Sequence, residues 1–169
     1  MPNGNFAIRP ARADELALLP PIEEKAAIRF VEAGLFDAEN EVETLTVAFL
    51  ADRHVWVADQ DGVLAGFACA EDIEGFSHLH EIDVLPEHGG RGLGRALMAA
   101  VIEDARNRGK LAVTLSTYRD VPWNGPFYAS LGFEPVSPVA LGQRYQTFRK
   151  TETAQGLDIS ARDLMMLAF

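Results

Sequence analysis

The sequence predicts an α/β domain with a mixed central sheet of six to seven strands, and three observations point there. His54 to Asp59 and Val63 to Ala70 are apolar runs of strand length joined by Gln60, Asp61 and Gly62, the turn chemistry that a hairpin needs. His78 to Leu85, a glycine-rich loop, a long amphipathic segment from Leu93 and the apolar run Leu111 to Thr117 make a strand, loop, helix, strand unit. The third is size: 169 residues, 48% of them hydrophobic and 24% charged, suit one domain over residues 1–169 with a single core.

In chain order, Asn5 to Arg9 reads as a short strand. Ala11 to Phe36 carries helical spacing through Leu16, Leu19, Ile28, Val31 and Leu35, and Pro20 and Pro21 divide it into two helical pieces. Glu41 to Leu50 reads as another short helix, with Val42, Leu45 and Phe49 on one side. After the hairpin, the strand from His78 is stopped by Pro86. From Leu93 the residues Ala96, Leu97, Ala100, Val101 and Ala105 form one apolar stripe that ends in Arg106, Arg108 and Gly109, the basic last turn and terminal glycine of a helix. Asn124 to Leu131 reads as a short helix closed by Gly132, and Phe133 to Val136 as the start of a strand. Leu141, Tyr145 and Phe148 predict a helix over Val139 to Thr153, and Arg162 to Phe169 a closing strand.

A net charge of -10 excludes a typical nucleic-acid binder, which needs a basic face to neutralise phosphate, and favours cationic small molecules by long-range attraction. The single Cys69 has no partner for an internal disulfide, and no charged-then-apolar leader opens the sequence, so a cytoplasmic protein is expected. No run approaches the roughly 18 apolar residues of a spanning helix, so no membrane partner is expected.

Pro86 to Arg95 sets Gly89, Gly90, Gly92 and Gly94 directly between a strand and the long helix. Glycine lets the backbone approach a ligand, so N–H groups and a helix N-terminus can converge on an anion such as a pyrophosphate. A connector without a ligand is the competing reading. A triphosphate loop needs Gly-Lys-Ser or Gly-Lys-Thr where this chain has Gly94, Arg95 and Ala96. A dinucleotide fingerprint belongs near the start of a parallel sheet, whereas a hairpin precedes this loop.

Arg91 to Leu97, preceded by Val84 to Glu87, resembles the coenzyme A signature of the GNAT superfamily of N-acetyltransferases, and Asn124 to Phe133 resembles that superfamily's second signature. The two stand in the family's order, and the likeness covers roughly Val55 to Glu134. It implies the GNAT acyl-CoA N-acyltransferase fold with helices on both faces of the sheet, acetyl-CoA as cosubstrate, and no metal. It also implies coenzyme A contacts from Val84, Leu85, Gly89, Gly90, Arg91, Gly92, Leu93, Gly94, Arg95, Asn124 and Phe127, with the Val84 N–H as partner of the acetyl carbonyl. Gly89 departs from the pattern by standing where the family usually carries Gln or Arg. The backbone donors from Gly89 to Arg95 are then left to hold the phosphates, with Arg91 or Arg95 adding charge. Asn124 bonds the pantetheine arm or caps the helix after it.

Acetyl transfer to an amine needs an uncharged amine, stabilisation of the oxyanion, and a proton for the departing thiolate. Tyr128 stands where family members keep the tyrosine that protonates the sulfur, with packing against Phe127 as the bland alternative. His78 and His80 alternate onto one face of their strand, and Glu81 and Asp83 onto the other. His78 to Val84 resembles the same strand of the arylalkylamine N-acetyltransferase branch, whose paired histidines are held to relay the amine proton. His80 is thus the first choice of base, His78 its companion, and a water-linked Glu81 the alternative. No Cys or further His at ligand spacing accompanies the pair to make it half of a zinc site. Cys69 reads as a small buried hydrophobe, so transfer should be direct. Trp56 and Trp123 read as core residues.

The acceptor is expected to be a small amine, received near Phe30, Phe36 and the two-piece helix. Protein N-terminal or lysine acetylation is the second reading, and a non-catalytic acyl-CoA-binding module the third, which the retained Tyr128, His80 and Glu81 disfavour. The apolar close, Leu164 to Phe169, fits either an inner strand or a homodimer surface.

Overall fold

The computed structural model describes residues 5–35 and 44–169. Phe36 and Val42 therefore lie outside the described residues, as does the beginning of the helix expected over Glu41 to Leu50. Among the described residues seven strands form one mixed sheet: β1 (Ala7–Pro10), β2 (His54–Gln60), β3 (Val63–Ile73), β4 (Phe76–Val84), β5 (Ala112–Tyr118), β6 (Glu134–Pro135) and β7 (Arg162–Ala168). Their order is β1-β2-β3-β4-β5-β7-β6. β4 and β5 pair in parallel, as they must when a helix, α3 (Leu93–Asn107), carries the chain back to the same end of the sheet. The β1–β2, β2–β3, β5–β7 and β6–β7 pairs are antiparallel.

The chain divides into two compact units: Met1–Ala70 with Glu81–Val101, and Glu71–His80 with Ile102–Phe169. β3, β4 and α3 each run from one unit into the other.

In the first unit Leu16, Leu19, Ile22, Leu50, Val55, Val57, Phe67, Cys69 and Leu85 form the core. Pro20 and Pro21 begin helix α1 (Pro20–Glu32) rather than interrupting one, because a first-turn proline gives up an N–H that has no helical partner. The segment before them is a 3-10 helix, Ala13–Leu18. Helix α2 is shorter than expected, Val47–Ala51, because the Thr46 side chain accepts from Phe49 N and fixes the start there. Trp56 and Cys69 are buried, as the sequence suggests.

Gly66 of β3 sits where a Cβ would lie 2.4 Å from the Asp83 carbonyl oxygen. Its lack of a side chain lets the backbone lie directly against the last residues of β4. Leu85 N then donates to Ala65 O at 2.8 Å, which ties down the chain just before the glycine loop.

The second unit holds a hairpin turn missing from the sequence reading: β3 continues to Ile73 and the chain reverses at Glu74 and Gly75, both with positive φ. The β4–β5 ladder joins Ser77, His78 and Leu79 to Val113, Thr114 and Leu115, after which each strand continues. β7 is an inner strand between β5 and β6. The expected helix over Val139 to Thr153 is two helices, α5 (Pro138–Leu141) and α6 (Gln143–Ala154), separated at Gly142. α6 is anchored by the buried Glu152, which accepts from Ser116 (2.6 Å), Arg149 (2.9 Å) and Arg162 (3.1 Å). These partners hold the carboxylate in place of the water it has lost.

Candidate active site

The glycine loop closes the first unit. Gly90 and Gly92 have φ of 72° and 78°, the left-handed region where a side chain is strained, and a Cβ at either would meet no atom within 4 Å. Space for a ligand is therefore kept on this side of the backbone. The first ladder bond of α3 is Ala96 N–H to Gly92 O, so the N–H groups of Leu93, Gly94 and Arg95 precede the ladder at the positive end of the helix. No acidic residue lies in that first turn, and Arg91 and Arg95 are exposed beside it. This geometry suits a diphosphate. Leu93 is buried and begins the stripe Leu93, Leu97, Met98, Val101 and Ala105, which aims the helix.

Upstream, the end of β4 carries an acidic group that the sequence reading left mostly aside. Asp83 is buried, and its Oδ2 has no hydrogen-bond partner among the described residues. Burial, then the charges of Glu81 and Glu23 and a hydrogen bond with Glu81, push its carboxyl well above the usual range, against the opposing pull of Arg29. Glu23 of α1 is also raised by burial, although Leu45 N donates to it at 2.8 Å. Glu81 is thus engaged by hydrogen bonding with the buried Asp83 carboxyl.

In the second unit the two histidines of β4 do lie side by side, their rings 5.3 Å apart, but their surroundings differ. His78 is 1% exposed. Its Nδ1 is 2.9 Å from Thr114 Oγ1, which is 2.7 Å from the Tyr145 hydroxyl. Burial and the neighbouring His80 lower its pKa to about 3, so it stays neutral and packs against Tyr145 and Phe148. Burial likewise raises the Tyr145 phenol to about 12, which keeps it protonated in its hydrogen bond with Thr114. His80 is only partly buried, and its Nε2 lies 2.6 Å from Glu71 Oε1.

An unfolded chain protonates His78 near pH 6.5, whereas the folded one refuses the proton until about pH 3. Stability from this residue is therefore lost as pH falls from 6.5 toward 3. Denaturant unfolding of His78→Gln is expected to show a shallower loss between pH 6.5 and 5, by roughly 1.5 kcal/mol. Equal losses in both proteins would contradict that picture.

Tyr128 lies on α4 (Gly125–Ala129). It is 6% exposed, with its ring against Phe127 (5.2 Å) and Phe133 (5.9 Å). Packing therefore fixes where the phenol points. Asn124 does not cap this helix with its side chain. Its φ and ψ of -120° and -108° turn the side chain elsewhere, and Thr117 Oγ1 donates to its Oδ1 at 2.8 Å. The Asn124 Nδ2 donor is left buried without a partner among the described residues, as an amide awaiting an acceptor would be.

Glu71, the partner of His80, was hidden from the sequence reading because the stretch holding it was not recognised as strand. The turn pair Glu74 and Gly75 was the signal available. Among the described residues no group of three or more His, Cys, Asp or Glu could hold a metal ion, and no helix is long and apolar enough to cross a membrane.

A seven-stranded mixed sheet with a glycine loop opening its long helix is the arrangement of the acyl-CoA N-acyltransferase fold. The chain belongs to the acetyltransferase (GNAT) family, whose sequence model matches residues 21–133. It is 33% identical over 102 residues to the L-amino acid N-acyltransferase MnaT of Escherichia coli strain K12, a match covering 57% of this chain and 59% of that protein. The L-methionine sulfoximine/L-methionine sulfone acetyltransferase of Salmonella typhimurium is 30% identical over 102 residues, covering 57% of this chain and 60% of that protein. The chain thus matches less than two thirds of the length of these curated relatives. In fold it is similar to a PaiA N-acetyltransferase from Thermoplasma acidophilum in complex with coenzyme A, with a TM-score of 0.74 at 17% identity over 98% of this chain and 99% of that one.

Proposed function

We propose that this chain transfers the acetyl group of acetyl-CoA directly to the amine of a small molecule. The observation that carries the reading is the start of α3, where three N–H groups, two left-handed glycines and open space meet without a carboxylate in the first turn. Such a terminus fits the diphosphate of coenzyme A. The Asn124 Nδ2, without a partner among the described residues, is a donor of the kind that the amide arm of the same molecule accepts. Both curated relatives are named for acyl transfer involving amino acids or close analogues, which supports a small-molecule amine.

When bound, acetyl-CoA supplies an acyl carbon activated as a thioester. The N–H groups of Leu93, Gly94 and Arg95 hold its diphosphate, with Gly89, Gly90, Arg91 and Gly92 shaping the loop. The Val84 N–H orients the acetyl carbonyl. The Tyr128 phenol donates its proton to the departing thiolate. The amine proton passes to the His80 and Glu71 pair, whose 2.6 Å contact is a place for it to reside. His78, neutral down to about pH 3, serves as a packing and hydrogen-bonding residue instead. Cys69 is fully buried, which removes the only thiol from covalent chemistry and leaves direct transfer.

A thiol-release assay with acetyl-CoA over amines, amino acids and peptides tests this. Release stimulated by small amines is expected. Release with peptides alone would move the reading to protein acetylation, and no stimulated release by any amine would overturn it.

A further inference from the structure

Helix α6 and the outer end of β3 bound a hollow of about 260 Å³ that none of the roles above uses. Its walls carry opposite charges: Glu71 from β3, and Arg144 from α6 with Gln143 beside it. Ile73 and Phe148 supply an apolar side. Glu71 is the same carboxylate that holds His80 at 2.6 Å, so one end of the hollow adjoins the proton-accepting pair.

The opposite wall is fixed. Tyr145, next to Arg144, is fully buried and bonded to Thr114 at 2.7 Å. Two turns on, Glu152 locks α6 to Ser116 and Arg162. The helix's other arginine, Arg149, is spent on Glu152, whereas Arg144 is exposed at the hollow.

We infer that this hollow is the acceptor subsite for a free amino acid. Arg144 and Gln143 take its α-carboxylate, Glu71 with His80 takes its α-amine, and an apolar side chain lies against Ile73 and Phe148. The inference rests on the acyl-transfer reading above and narrows its substrate. Charge decides between amines: in a chain of net charge -10, a simple cationic amine needs no guanidinium in its site, and a carboxylate does. The hollow, about 260 Å³, is small beside the roughly 300–1,000 Å³ of pockets for drug-sized molecules. A peptide N-terminus also lacks the α-carboxylate that Arg144 would bind.

The test is titration calorimetry of the whole chain, with and without coenzyme A, using L-leucine, L-leucinamide and 3-methylbutylamine, which share a side chain and an amine but differ in the carboxylate. Leucine is expected to bind at least about tenfold more tightly than the other two. Arg144→Gln is expected to erase that preference by weakening leucine alone about tenfold, with the amide and the amine unchanged. Equal binding of all three by the unaltered chain, or a leucine preference that survives Arg144→Gln, overturns the subsite. A purely structural role for Arg144 would weaken all three alike and overturns it too. Binding is read without turnover, so leucine that binds through Arg144 but is never acetylated would contradict the proposed reaction and leave the subsite standing.

Discussion

Replacing Tyr128 by Phe is expected to lower kcat for acetyl transfer by about a hundredfold while acetyl-CoA binds as before. The substitution removes one oxygen and keeps the ring that packs against Phe127 and Phe133, so α4 keeps its place and the protein its fold. What is lost is the proton for the departing thiolate, a need that arises only as the thioester bond breaks. An interaction made only at that stage changes kcat and leaves ground-state affinity alone. Single-turnover kinetics beside an acetyl-CoA titration separate the two. Unchanged turnover would make Tyr128 a packing residue and nothing more.

Gly92→Val is expected to weaken acetyl-CoA binding by about tenfold to a hundredfold, through the backbone alone. Gly92 has a φ of 78°, and an added Cβ there would touch nothing within 4 Å, so no clash contributes. A β-branched residue in that region costs about 1–3 kcal/mol. The loop relieves the strain by rotating the peptide units that aim N–H groups at the diphosphate. Because Gly92 is exposed, the core is untouched, and thermal unfolding should change little. A variant that binds acetyl-CoA normally would show that the loop amides do not hold it.

What could be read from the sequence was local. The β2–β3 hairpin carries its turn residues between its own strands, and the glycine loop sits beside the stripe that runs from Leu93 to Ala105. The outer half of β3 was not legible, because Glu71 and Asp72 break the apolar pattern. Their partners lie far along the chain: Asp72 pairs with Arg108 and Lys110, and Glu71 with His80. His78 looked like chemistry because of its residue type, and only Thr114, Tyr145 and Phe148, brought in from β5 and α6, make it a core residue. Asn124 was a fair cap by position, yet Thr117 claims its oxygen. Arg144 carried no signal at all, since its meaning depends on where α6 meets β3.

The most direct test of the central claim is a calorimetric titration of the intact protein with acetyl-CoA. Saturable uptake of one molecule per chain is expected, weakened in Gly92→Val. No heat of binding with acetyl-CoA, and none with any longer acyl-CoA, would contradict the assignment of the α3 N-terminus to the diphosphate and the reaction built upon it.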